Sequence, residues 1–288
     1  MKVFIIGANG MIGSAIFHVM SLKSDLDIFG SIRNNEFKKR FNFSQSNKFI
    51  SGLDVDNYDI LVDTLDYLRP DVVINCAGIT KHKYNILNPL VTIPINSLMP
   101  HKLAKLCNLI GAKLIHISTD CVFSGNKGNY TEVDTPDAFD LYGKSKELGE
   151  VTYPNTLTLR TSTIGHEYNT SHGLLEWFLS QKLECKGFKK AIFSGLPTVI
   201  FAEIIRDVIL PRYDLQGLYH ISAEPINKYD LLELIKDVYK KDINIIPDSK
   251  LSIDRSLNSD RFFKETQYQS PNWSSLVKTM YNFRQMGN

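Results

Sequence analysis

Tyr142 and Lys146, in the stretch "DLYGKSKELGE", stand four residues apart. On a helix that spacing puts both side chains on one face, about 5–6 Å apart at Cβ. A phenol and an ammonium placed in this way make a proton donor and a charge that tunes it. A free tyrosine has a pKa of about 10, and a nearby cation favours the phenolate and lowers that value. Of the 13 tyrosines, only Tyr142 has a lysine four positions on. The same pair would also suit a surface helix whose tyrosine packs on a lysine stem.

Other short stretches bear on that choice. "FIIGANGMIGSAI" sets Gly7, Gly10 and Gly13 between a strand-like run and a helical pattern. Such glycines give a tight turn, a backbone that can approach a pyrophosphate, and a helix N-terminus that favours anions. Gly7, Asn9, Gly10, Met11 and Ile12 are therefore candidates for holding a dinucleotide. The second run, "DIFGSIRNN", ends on Ser31 and Arg33, with Asp27 at its opposite end. An acid at that end would serve the ribose of NAD, whereas a guanidinium pairs with a 2′-phosphate, so NADPH/NADP+ is expected. Asp54, beside Val55, follows "KFISGL"; it could accept from an adenine amino group or cap the helix that starts at Tyr58. Cys76, Ala77 and Gly78 close the fourth run with side chains small enough to leave room for a cofactor. "HISTDCVFSG" ends the fifth run on Ser118, Thr119 and Asp120.

These stretches need elements to hold them. "KVFIIG", "DIFGSI", "DVVINCAG" and "KLIHIST" have the length and β-branched content of buried parallel strands. Between them "MIGSAIFHVMSL", "YDILVDTLDYL" and "NSLMPHKLAKLCNLI" have helical periodicity. The alternation predicts an α/β fold, a doubly wound parallel sheet, which binds ligands at the carboxyl ends of its strands. After about residue 163 the rhythm turns irregular, with helices in "HGLLEWFLSQ" and "KYDLLELIKDVY" separated by loops and short strands. A smaller C-terminal α/β substrate-binding lobe is expected there, with Trp177 in its core.

The chain has 288 residues, 43% hydrophobic and 22% charged, with a formal net charge of +2. That length suits one large domain or two joined ones, and the charge gives no reason to expect nucleic acid. Four cysteines without CxxC spacing fit a reducing compartment. No apolar stretch reaches 18 residues, so no membrane span is expected, and the N-terminus lacks an export signal. A cytoplasmic location follows as an expectation.

The glycine turn, "STDCVFSG", "YGKSK", "LRTS", "LPT" and "GLYHIS" occur in an order that resembles the extended short-chain dehydrogenase/reductases over nearly the whole chain. The branch most similar is that of the dTDP-4-dehydrorhamnose reductases. The resemblance implies a Rossmann domain over 1–163 and a mainly substrate-binding lobe over 164–288, with a segment near 196–216 packing back on the first. It implies catalysis by Thr119, Tyr142 and Lys146, with NADPH reducing the C4 ketone of a nucleotide-linked 6-deoxyhexose for surface polysaccharide. A further likeness, of "STDCVFSGNKGNYTE" and "SHGLLEWFLSQ", points to UDP-linked 2-acetamido-2,6-dideoxy sugars. Related 4,6-dehydratases carry Asp-Glu after the catalytic Thr; here Asp120 is followed by Cys121, which argues against dehydration.

Cys121 and His172 match the thiol and imidazole of GDP-L-fucose synthases, so an epimerase-reductase is an alternative. Arg255 in "IDRSLNS" resembles an arginine that the branch carries near its C-terminus, although Ser256 replaces the usual proline. Lys81 and His82 would face the same cleft. A non-catalytic NADP-binding protein, similar to the regulatory subunit of methionine adenosyltransferase, is the remaining alternative. The reductase branch includes metal-linked dimers; a homodimer is therefore open, but no acidic cluster places a metal.

Overall fold

Four strands of the central sheet, Lys2–Ile6, Asp27–Ile32, Val72–Asn75 and Lys113–Thr119, coincide with short apolar runs in the sequence. The computed structural model describes residues 1–33, 35–40, 45, 47–80, 86–167 and 171–286. Lys81 and His82 lie outside the described residues. In chain order, β1 (Lys2–Ile6), α1 (Met11–Ser21), β2 (Asp27–Ile32) and a 3-10 segment (Asn35–Arg40) come first. β3 (Phe49–Ser51), α2 (Tyr58–Leu68) and β4 (Val72–Asn75) follow. α3 (Pro89–Ile93), a π turn (Pro94–Leu98) and α4 (Met99–Leu109) then lead to β5 (Lys113–Thr119). Next come α5 (Leu141–Glu147), β6 (Thr156–Thr161), β7 (Thr163–Ile164) and α6 (Leu174–Ser180). β8 (Glu184–Phe193), β9 (Leu196–Pro197), α7 (Thr198–Ile204), β10 (Gly217–His220) and β11 (Ile226–Asn227) precede α8 (Lys228–Tyr239). The chain closes with β12 (Asn244–Asp254), α9 (Asp260–Thr266) and α10 (Trp273–Met286).

The seven-stranded sheet has the order β10-β6-β5-β4-β1-β2-β3. β3, β2, β1, β4 and β5 pair in parallel, with Phe4 opposite both Phe29 and Val73. The order reverses between β1 and β2 on one side and β4 on the other, the place where a doubly wound sheet opens a crevice at its carboxyl edge. β4 and β5 are buried at every position, as strands covered on both faces must be. One face is filled by Leu61, Leu65 and Leu68 of α2 and Met99, Leu103 and Leu106 of α4, packed on Phe4, Val73 and Leu114. No helix among the described residues is long and apolar enough to cross a membrane.

Backbone packing divides the chain into two compact units. The first comprises Met1–Ser118, Phe139–Leu159 and Ala202–Leu218; the second comprises Thr119–Ala138, Arg160–Phe201 and Tyr219–Asn288. The chain crosses between these units several times.

The second unit differs from the irregular region expected. β8 and β12 are 10 and 11 residues long and pair in parallel, with β11 antiparallel on the other edge of β8. β8 does alternate, but its inward positions include the small Cys185, Gly187 and Ala191, so the period of two carries little hydrophobic weight. Trp177 is half-buried rather than core; Leu175 and Phe178 are the fully buried residues of α6. The helical pattern over 96–110 also starts earlier than expected. Asn88 caps α3 by accepting from the Leu90 N–H, Pro89 follows the cap, and the π turn joins α3 to α4.

Candidate active site

The glycine turn follows from close approach. Gly7 has φ +82°, and a Cβ there would lie 3.0 Å from the Ala77 nitrogen. A Cβ on Gly13 would lie 2.3 Å from the Gly7 carbonyl oxygen, so strand and helix meet only because both residues lack one. Ser31 fastens this turn to β2. It is 3% exposed, its hydroxyl oxygen accepts from the Gly7 N–H at 3.0 Å, and its carbonyl accepts from the Ala8 N–H at 3.0 Å. Gly10 caps α1 in an extended conformation without any side-chain acceptor, and no acid lies in the first turn. Asn9, Met11 and Ile12 are half-buried around it. This positive helix end, with space that a Cβ would fill, fits the pyrophosphate of a dinucleotide.

Arg33 lies exposed just beyond the end of β2, while Asp27 at the other end pairs with Lys48 at 2.6 Å. Asp54 is exposed and Val55 half-buried. Asp54 does not cap α2. Its carboxylate accepts from the Asp56 N–H, and Asn57 supplies the cap by accepting from the Ile60 N–H at 3.2 Å.

α5 carries both Tyr142 and Lys146. Asp140 caps it, accepting from the Gly143 N–H at 2.8 Å. Tyr142 is half-buried against a cluster of Ile79, Ile86 and Ile95. Lys146 is only 6% exposed, which removes the surface-helix alternative for it. Its Nζ donates to the Ile117 carbonyl at 2.8 Å. Burial lowers its pKa to about 8, against the opposing pull of Glu150 and Cys76, so the ammonium form prevails at neutral pH. Burial pushes the Cys76 thiol up to about 12 despite the nearby Lys146. Cys76, Ala77 and Gly78 leave the end of β4 as half-buried, small residues.

Several residues that hold α5 were not singled out from sequence. Asn96, 1% exposed in the π turn, accepts from the Ile79 N–H at 2.8 Å and donates to the Ile79 carbonyl at 3.0 Å. It also donates to the Ser145 hydroxyl at 3.1 Å, and Ser97 donates to the Ser145 carbonyl at 2.9 Å. A π turn inside an otherwise α-helical stretch often marks such a site, yet nothing in "PINSL" announces it. Ser118 donates to Glu150 at 2.6 Å. For Glu150 a signal existed: it stands four residues after Lys146, the spacing that drew attention to Lys146 itself.

The remaining candidates belong to the second unit. Thr119, the last residue of β5, accepts from the Cys121 N–H and donates to the Asp120 carboxylate, both at 3.1 Å. Cys121 is 7% exposed. Arg255 is half-buried; its Nε donates to the Phe123 carbonyl at 2.8 Å and its Nη1 to the Cys121 sulfur at 3.6 Å. His172 is exposed just before α6. Among the described residues no group of three or more His, Cys, Asp or Glu could hold a metal ion.

A family model described as RmlD substrate binding domain matches residues 1–283. The "Probable low-salt glycan biosynthesis reductase" of Haloferax volcanii is 32% identical over 264 residues, covering 88% of this chain and 85% of the relative. The dTDP-4-dehydrorhamnose reductase of Escherichia coli is 28% identical over 258 residues, covering 80% of this chain and 85% of its own. A crystal structure of dTDP-4-dehydrorhamnose reductase from Bacillus anthracis in complex with NADP matches with a TM-score of 0.79 at 22% identity. That match covers 98% of this chain and 99% of the other.

Proposed function

The chain belongs to the RmlD substrate binding domain family, and from that membership we propose that it uses NADPH to reduce the C4 ketone of a nucleotide-linked 6-deoxyhexose. The observation that carries this reading is the Tyr142–Lys146 pair on α5, with the ammonium sunk against the Ile117 carbonyl. NADPH, when bound, supplies the hydride to C4. Tyr142 gives its phenolic proton to the C4 oxygen as that oxygen gains charge, so ketone plus hydride plus proton balance to the alcohol. Lys146 stabilises the phenolate left behind. Thr119 turns its hydroxyl from Asp120 to the same oxygen and orients the carbonyl.

For the cofactor, Gly7, Asn9, Gly10, Met11 and Ile12 hold the pyrophosphate and Arg33 takes the 2′-phosphate, while the buried Ser31 contributes by fixing the glycine turn. Asp54 and Val55 border the adenine, and Cys76, Ala77 and Gly78 leave space for the remainder. Arg255 is the candidate cation for the substrate diphosphate, with Asp120, Cys121 and His172 on the sugar side. The substrate proposed is a UDP-linked 2-acetamido-2,6-dideoxy-4-hexulose, and the product feeds a surface polysaccharide made from the cytoplasm. The test is NADPH absorbance with dTDP-, UDP- and GDP-linked 4-keto-6-deoxy sugars. Oxidation with one of them is expected. Tight NADP binding without turnover of any would leave the regulatory-subunit reading instead.

A further inference from the structure

Lys146 poses a problem that its hydrogen bond to the Ile117 carbonyl does not solve. A buried ammonium has three donors and a large desolvation cost unless an opposite charge accompanies it. We propose that Glu150 is a positioning residue for the reduction: anchored by Ser118, it is the counter-charge that keeps the Lys146 ammonium in its buried place.

Lys146 and Glu150 are anchored on adjacent residues of β5, Ile117 and Ser118, although α5 ends at Glu147. The Gly149 N–H donates to the Lys146 carbonyl at 3.2 Å and the Glu150 N–H to the Glu147 carbonyl at 3.0 Å, so the helical path runs on. This path needs glycine at 149, because a Cβ there would lie 1.9 Å from the Asn96 carbonyl oxygen. The Ser118 hydroxyl then donates to the Glu150 carboxylate at 2.6 Å and fixes it beside the end of β5.

Other titratable groups face Lys146 from two neighbouring strands. Cys76, after β4, is a thiol with a pKa pushed up to about 12, hence neutral at pH 7. His116, in β5, is fully buried; burial first, then Lys146 and His101, hold it well below the usual imidazole range, hence neutral as well. Among the described groups acting on Lys146, Glu150 is the one carboxylate. Burial and Glu150 oppose each other there, and the balance leaves Lys146 at about 8. Removing the carboxylate takes away the larger of the two pulls against burial, so the midpoint must fall. Reduction loses the charge beside the phenolate as pH rises through that midpoint.

The kinetic consequence rests on the reductase reading above, but the first test needs no turnover. The ε-carbon signal of Lys146, in the full chain labelled with [ε-13C]lysine and assigned through Lys146→Met, is titrated by NMR. Glu150→Gln keeps an oxygen for Ser118 while losing the charge. We expect its Lys146 midpoint to fall below the wild-type value of about 8, with Glu150→Asp remaining close to wild type. The alkaline limb of kcat/KM should move to lower pH in step. Equal Lys146 midpoints in wild type and Glu150→Gln would overturn the proposal. Should Glu150→Gln fail to fold, Ser118→Ala decides by the same criterion: a lowered midpoint supports the anchor and an unchanged one removes it. Absence of turnover with every sugar nucleotide would sink the reductase reading and leave the titration to judge Glu150.

Discussion

Lys146 in the first unit is 6% exposed and bonded to the Ile117 carbonyl. Arg255 in the second unit is half-buried and leans on the Phe123 carbonyl and the Cys121 sulfur. The two cations suit different work. An ammonium in a poorly solvated pocket can shift its pKa and so tune a neighbouring acid, whereas a guanidinium stays charged and presents a planar fork of donors. The first arrangement suits proton transfer, and the second suits holding an anion. The difference also explains why one was easier to read. Tyr142 and Lys146 are linked by one helical turn, while the contact of Arg255 with Cys121 spans 134 residues.

The sharpest way to break this division of labour is Tyr142→Phe. If the first unit supplies the acid, kcat should fall by roughly 10²–10⁴-fold, the usual contribution of a positioned proton donor. NADPH binding, followed by its fluorescence, should persist. Near-normal turnover would move the acid out of the first unit.

Two arginines sharpen the comparison at smaller amplitude. Arg33→Ala should raise the KM for NADPH by roughly tenfold or more, the scale of a lost hydrogen bond to a charged group. The KM for NADH should stay nearly unchanged. Equal losses with both cofactors would take Arg33 away from the 2′-phosphate. Arg255→Gln should raise the KM for the sugar nucleotide several-fold, within the same scale of loss, and leave kcat close to wild type. A fall confined to kcat would assign Arg255 to the chemistry and erase the contrast with Lys146.

What was legible in sequence follows the same line. The bounds of β2, β5, α2 and α8 coincide with apolar runs or periodic patterns, because local burial alone decides them. Local pattern is also why the glycine turn stood out. Asp54 is a candidate cap by composition, but Asn57 stands immediately before Tyr58, the place a cap takes, and it is Asn57 that accepts from the Ile60 N–H. Asn96 was invisible for another reason. Its value comes from a π turn that carries one amide to Ile79 and Ser145, partners far along the chain. In the second unit the long β8–β12 pairing escaped notice because Cys185 and Gly187 occupy inward positions that larger aliphatics would have made obvious.

The smallest expected effect tests whether the second unit does proton chemistry after all. An epimerase-reductase would use Cys121 and His172 to exchange protons at the carbons flanking the C4 ketone. The structure occupies the Cys121 sulfur as an acceptor from Arg255, which suits a residue that helps hold a guanidinium. Cys121→Ser retains an acceptor for Arg255 in that place, so reduction should proceed within about twofold of wild type, since the hydrogen bond is kept rather than lost. Turnover in D₂O with unlabelled NADPH, followed by mass analysis of the product, checks the exchange directly. Reduction alone leaves only the transferred hydride on carbon, whereas proton exchange at C3 or C5 adds deuterium there. Keto sugars enolise slowly without a catalyst, so substrate incubated without protein sets the baseline. We expect no carbon deuteration above it. Deuteration that disappears in both Cys121→Ser and His172→Ala would give the second unit an acid–base pair of its own, and the confinement of proton transfer to the first unit would fall.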